Sequence, residues 1–293
     1  MPFATLITPQ ELLPHIEDPS WGVFDCRFDL GDAAWGEREY ANAHIPAAVY
    51  LHLERDLSAP LNGTNGRHPL PSIKAMQALF SRLGIGPHTQ VVAYDDKGGG
   101  FAARLWWMLR YLGHDSAAVL NGGWPAWLAA GSPTSNDVRE RRPATFKARP
   151  RPSLRIDAEQ ILPALGIADL RLIDSRAPER YRGEMEPLDP VAGHIPGAQN
   201  RFWQDNLTKD GHFRAAHELR VEFDALLGEL SPQQAVVYCG SGVTGALNVL
   251  AMTHAGLEGV RPYPGSWSEW CADRKRPMVS GEKDDEIPVH PDD

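Results

Sequence analysis

Cysteine is scarce in this chain, with three among 293 residues, and Cys26, Cys239 and Cys271 are too scattered for a CxxC zinc pattern or a disulfide framework. A reducing cytoplasm is the expected location. Positive charge is also in deficit: 29 Lys and Arg stand against 38 Asp and Glu, a net charge of -9, the wrong sign for a protein that lives on phosphate backbones. Nucleic acid is not an expected partner. No run approaches the roughly 18 unbroken apolar residues of a membrane span. The opening MPFATLITPQELLPHIEDPSW lacks the basic and apolar regions of a signal peptide, so neither membrane nor export is expected. With 42% hydrophobic and 23% charged residues, the composition excludes disorder and fibrous repeats. At roughly 150 residues per domain, the length suggests two globular domains.

The two halves echo each other in the order of several short words. FDCRF (24–28), HIPAAV (44–49), VVAYDD (91–96) and NGGWPAWLAAG (121–131) are followed by LIDSR (172–176), HIPGAQ (194–199), VVYCGS (236–241) and PGSWSEW (264–270). The match pairs Asp25 with Asp174, His44 with His194, Asp95 with Cys239, and Trp124/Trp127 with Trp267/Trp270. Short runs such as QVVAYD and AVVYC lack alternation, which suits strands buried on both faces of a parallel sheet. Helical patterns lie between them, SIKAMQALFSRLG in one half and HELRVEFDALLGEL in the other. Alternating strand and helix predicts two α/β domains. The Pro-, Arg- and Ser-rich stretch 132–153 reads as a solvated linker, giving an N-terminal domain over 1–137, a linker over 138–152 and a C-terminal domain over 153–293.

The sharpest local feature is AVVYCGSGVTGALNVLAMTHAGL: a buried strand ending in Cys239, a turn through Gly240, Ser241, Gly242, Val243 and Thr244, then a helix starting near Gly245. Glycines let successive N–H groups converge into an anion-binding nest at a helix N-terminus. The anion there would be the Cys239 thiolate, shifted down from the usual ~8.5 into a ready nucleophile. Cysteine-dependent phosphatases share the strand–cysteine–cradle order but carry CxxxxxR, and position 245 is Gly, so the guanidinium that would clamp an equatorial phosphate is missing. A thiolate cradle without that clamp suits attack on sulfur, with a persulfide as the intermediate.

These residues resemble the tandem-domain rhodanese-like sulfurtransferases along nearly the whole chain, through the DxR…GHIPGA phrase, the CGSGVT loop and the GSWSEW phrase. The resemblance implies two tandem rhodanese-like α/β domains, each a parallel sheet flanked by helices. It makes Cys239 the sulfur-accepting nucleophile, with the amides of 240 to 244 holding the persulfide. CGSGVT is similar to the loop of the 3-mercaptopyruvate sulfurtransferases, whereas thiosulfate sulfurtransferases usually have a CRKGVT-like loop. The family also implies an arginine for the donor's anionic end, matched to Arg180, with Arg182 as the neighbouring alternative. It implies a Ser/His/Asp relay of Ser241, His68 (in GRHPLP) and Asp56 that would polarise the donor or protonate the departing enolate.

One departure stands out: EPLDPVAGHIPG has Leu188 where mercaptopyruvate enzymes carry a second arginine, which leaves the donor open between 3-mercaptopyruvate and thiosulfate. Asp95, at the position of Cys239, cannot store sulfane sulfur, so the first domain is expected to be catalytically silent. His44 and His194 read as turn residues, the Trp pairs as packing, Asp174–Arg176 as an ion pair behind Arg180, and Cys26 and Cys271 as inert. The expected acceptors are a thiol, cyanide or a thioredoxin-like protein. No metal or organic cofactor is implied. The competing readings are a sulfur carrier or regulatory module without turnover, and a cysteine-dependent phosphatase or arsenate reductase.

Overall fold

The computed structural model describes residues 2–167 and 169–282; residues 283–293 of the expected C-terminal domain lie outside them. The first half builds a five-stranded sheet from β1 (Leu6–Ile7), β2 (Trp21–Asp25), β3 (Val49–Tyr50), β4 (Gln90–Tyr94) and β5 (Ala117–Leu120), in the order β1-β5-β4-β2-β3. The second half builds a four-stranded sheet from β6 (Arg171–Asp174), β7 (Gln199–Asn200), β8 (Ala235–Tyr238) and β9 (Arg261–Pro262), in the order β7-β6-β8-β9. Every pairing between these nine strands is parallel.

The central strands have the expected character. All residues of β4 and β8 are buried, because helices cover both faces and leave no solvent side on which polar residues could alternate. The predicted helices fall at Ile73–Arg82, Ala216–Leu227 and Gly245–His254, and a further one spans Ala102–Tyr111. The helix Gly245–His254 is buried at every position from Gly245 to Thr253. An all-round apolar helix of this kind is a core element rather than a surface one, and its N-terminus is therefore fixed in place.

The chain divides into two compact units: Met1–Ala59, Pro71–Arg151 and Leu207–Phe213 form one, and Pro60–Leu70, Pro152–Asn206 and Arg214–Asp293 the other. The partition differs from a single cut in the sequence, since residues 60–70, with Arg67 and His68, belong to the second unit and 207–213 to the first. The stretch read as a solvated linker is also different in kind. It forms no helix or strand from 138 to 151, yet Ala144 donates to the Ser81 carbonyl, Arg149 to that of Leu112 and Arg151 to that of Tyr111. The Arg141 guanidinium donates to the carbonyls of Leu83 and Trp21, and Phe146 packs on Phe80. One apolar anchor and a row of backbone hydrogen bonds tie this basic segment to the first unit, which an apolar-periodicity reading does not detect.

The repeated words occupy equivalent places. In the first unit the Asp25 carboxylate takes a buried ion pair from Arg27, whose guanidinium also donates to the Ala43 carbonyl and lies 4.7 Å over Trp124. In the second, Asp174 pairs with Arg176, which donates to the Gly193 carbonyl and lies 4.8 Å over Trp267. His44 and His194 stack on Tyr40 and Tyr181, and their Nδ1 atoms meet those residues' carbonyls. Both histidines are structural turn residues. Trp127, Trp267 and Trp270 are fully buried, and the last two donate their indole N–H to the Val191 and Pro277 carbonyls.

Candidate active site

Parallel register sets the site. Asp174 of β6 is opposite Tyr238 of β8, and the Ser175 amide donates to the Tyr238 carbonyl, so residues 175–180 and Cys239 leave the sheet side by side at its carboxyl edge. That edge is where ligands of parallel α/β sheets bind.

The loop after Cys239 is held from behind by the GSWSEW phrase. Trp267 and Ser268 donate their amides to the carbonyls of Cys239 and Gly240, and the Ser266 hydroxyl accepts from the Cys239 amide. Gly242 has φ +75, and a Cβ on it would sit 1.9 Å from the Pro264 carbonyl oxygen, so no other residue fits. Gly242→Ala is expected to cost roughly 2 kcal/mol or more, since the left-handed penalty alone is about 1–2 kcal/mol, and to remove most activity by displacing the loop. Denaturant unfolding together with a sulfur-transfer assay checks this.

The Cys239 thiol is held by groups that oppose one another. Burial pushes the Cys239 thiol up, but the Thr244 hydroxyl and the amides of Gly245, Ser241 and Gly242 more than offset it, leaving the group below its ordinary value. The other thiols go the opposite way. Burial with nearby Asp25 raises Cys26 far above the usual range, and burial with Asp189 pushes Cys271 up to about 12. In the first unit the corresponding turn is filled by its own carboxylate: Asp95, fully buried, accepts the amides of Lys97, Gly99, Phe101 and Ala102 at 2.7–2.8 Å.

Around Cys239 the second unit gathers most of the expected residues. Nδ1 of His68 lies 2.7 Å from Oγ of Ser241, a buried hydrogen bond. Arg180 is held by Glu186 through its Nε and Nη2 and also touches Asp189 at 3.3 Å. Behind it, Arg176 bridges Asp174 and Glu186. Buried pairs of this kind specify position more than they add stability. Both Arg180 terminal nitrogens lie 3.3 Å from where a Cβ on Gly240 would be, so its guanidinium rests against the Cys239 loop. Val243 of the same loop is buried.

One expected residue is placed elsewhere. Arg182 pairs with Glu184 at 2.7 Å and lines a separate cavity of about 310 Å³ with Tyr181, Gln199, Asn200 and Glu282. Of the two candidate arginines, Arg180 is the one at the loop. Asp56 belongs to the first unit, where its carboxylate accepts from the His52 amide and from Arg82. Leu188 is partly exposed and provides no cation. Absent from the sequence expectations are the Gly245 amide, the acidic partners Glu186 and Asp189, and Arg67, whose guanidinium grips Asp189 through Nε and Nη2. Only Arg67 had a signal, as a cation beside His68.

The chain has relatives among known proteins. The rhodanese-like domain family matches residues 8–130 and again 157–273. The chain is 46% identical over 284 residues to the probable 3-mercaptopyruvate sulfurtransferase of Pseudomonas aeruginosa, covering 96% of this chain and 100% of that one. It is 38% identical over 259 residues to the thiosulfate sulfurtransferase of Mus musculus, covering 86% and 85%. The solved 3-mercaptopyruvate sulfotransferase of Escherichia coli superposes with a TM-score of 0.77 at 30% identity, covering 90% of this chain and 99% of that one.

A duplicated parallel-sheet unit with one thiol-bearing amide nest defines a tandem rhodanese-like protein. Within that class, the chain belongs to the 3-mercaptopyruvate/thiosulfate sulfurtransferase family and is a sulfurtransferase.

Proposed function

We propose that Cys239 takes sulfur from 3-mercaptopyruvate as a persulfide and passes it to a thiophilic acceptor, with thiosulfate as a second donor. The observation that carries this reading is a thiol held below its ordinary value by inward amides, beside a Ser241–His68 hydrogen bond. The thiolate attacks the donor's thiol sulfur. An S–S bond forms, the C–S bond breaks, and its electron pair leaves as the enolate of pyruvate. The Ser241–His68 pair supplies the proton that converts enolate to pyruvate, while Arg180 binds the carboxylate. With thiosulfate the leaving group is sulfite, which needs no proton at this step.

In the second half-reaction, cyanide, a small thiol or a reduced thioredoxin-like protein takes the outer sulfur and returns the Cys239 thiolate, so ping-pong kinetics are expected. Three free thiols suit a reducing compartment, and among the described residues no helix is long and apolar enough to cross a membrane.

The pH dependence tests the thiol directly. A pKa below the usual value keeps sulfur ionised as pH falls, so alkylation of Cys239 by iodoacetamide should rise with pH and level off below the midpoint of about 8.5 for a free thiol. Cys271, pushed up to about 12, should remain unreacted over the same range. Peptide mapping of the alkylated protein reads both, and a Cys239 midpoint at or above the free-thiol value contradicts the reading.

A further inference from the structure

Six charged side chains form an alternating series running outward from the end of β6. Asp174 meets Arg176 at 2.6 Å, Arg176 meets Glu186 at 3.2 Å, Glu186 meets Arg180 at 2.6 Å, Arg180 meets Asp189 at 3.3 Å, and Asp189 meets Arg67 at 2.8 Å. The inner members are buried and each carboxylate after the first lies between two guanidiniums. Arg67 ends the series with one acidic neighbour and 26% side-chain exposure, so it carries the least compensated positive charge. Its backbone is fixed by the amide donating to the Ser268 hydroxyl, on the same helix that braces the cysteine loop. Its Nη2 comes within 2.7 Å of the position a Cβ on Gly240 would take, closer than either terminal nitrogen of Arg180. Among the described residues, Nη1 of Arg67 and Nη1 of Arg180 have no protein hydrogen-bond partner.

We infer that Arg67 is the second cation of the donor site: with Arg180, and with Asp189 as their shared brace, it binds the carboxylate or sulfonate end of an anionic sulfur donor beside Cys239. Leu188 removes a cation from one side of the site, and Gly240 leaves open the space that Arg67 fills from the 60–70 segment. A side chain at 240 would displace both guanidiniums. Two guanidiniums that meet beside Gly240, each with its Nη1 left over, suit a group with two or three anionic oxygens, so donors lacking an anionic group there should be poor substrates. This inference rests on the sulfurtransferase reading for its substrates but not for its charge.

The test uses the full chain as wild type, Arg67→Ala and Arg67→Lys, with two readouts. In steady state, Arg67→Ala should raise KM for both 3-mercaptopyruvate and thiosulfate on the order of tenfold to a hundredfold, with kcat changed less and Arg67→Lys recovering part of the loss. Independently, Cys239 is alkylated by iodoacetate and by iodoacetamide, near-isosteric reagents that differ in charge. Their rate ratio cancels any change in thiolate fraction. The ratio should fall about tenfold in Arg67→Ala and stay near wild type in Arg67→Lys. Unchanged KM and ratio in Arg67→Ala overturn the proposal, as does an equal loss of both reagents' rates in both variants, which marks a structural role. If the wild type moves no sulfur from either donor, the functional reading fails, and the alkylation ratio still decides whether Arg67 supplies the charge.

Discussion

Cys239→Ser should lose sulfur transfer from both donors by on the order of 10⁴ or more in kcat/KM while unfolding within about 1 kcal/mol of the wild type. A serine hydroxyl fits the same amide ring, so the loop has no reason to move. The ring stabilises an anion, but it cannot bring an alcohol's ionisation down to neutral pH, and oxygen has no counterpart to the persulfide. Neither remaining cysteine can substitute, because burial drives Cys26 and Cys271 upward, away from the thiolate. Steady-state assay and denaturant unfolding of the same preparation provide the comparison. Transfer retained above a hundredth of wild type would remove Cys239 from the chemistry.

The second large effect separates the donors. Ser241→Ala and His68→Ala should each lower kcat/KM for 3-mercaptopyruvate by roughly 10² or more, the scale of a lost acid–base group, and change the value for thiosulfate by less than about threefold. The enolate released when the C–S bond breaks must take a proton to become pyruvate, whereas sulfite leaves as a stable anion. Ser241→Ala is the cleaner variant, since it removes one hydroxyl and keeps the amide that faces the thiol. His68 is buried, so its replacement also opens a cavity and calls for a stability measurement alongside. Equal losses with both donors would show that the pair supports the loop rather than the proton.

Much of this was readable before any fold was known, and the reasons are local. The central strands announce themselves because a strand covered on both faces has no polar alternation, as in QVVAY and AVVY. Cys239 announces itself because glycine at 242 answers a backbone requirement: the Pro264 carbonyl leaves no space for a side chain. The pairing of Asp174 with Arg176 was visible because both lie in one short phrase. Arg67 and Asp189 are 122 residues apart in sequence, and no periodicity connects them; their meeting depends on the 60–70 stretch folding with the second unit. The Pro- and Arg-rich stretch misled for a related reason. Its hold on the first unit comes from backbone amides and Phe146, and backbone hydrogen bonds leave no mark on side-chain composition. Arg182 could not be told from Arg180 until the short helix Pro178–Tyr181 set their directions, one toward Glu186 and the other toward Glu184.

The central claim is that one sulfur atom rests covalently on Cys239 between the two half-reactions. Protein incubated with 3-mercaptopyruvate without acceptor, rapidly alkylated and digested, should show the mass of one added sulfur on the peptide carrying Cys239, with none on those carrying Cys26 or Cys271, and cyanide should discharge it as thiocyanate. Pyruvate formed with no sulfur gained at Cys239, or sulfur found on another residue, would contradict the account.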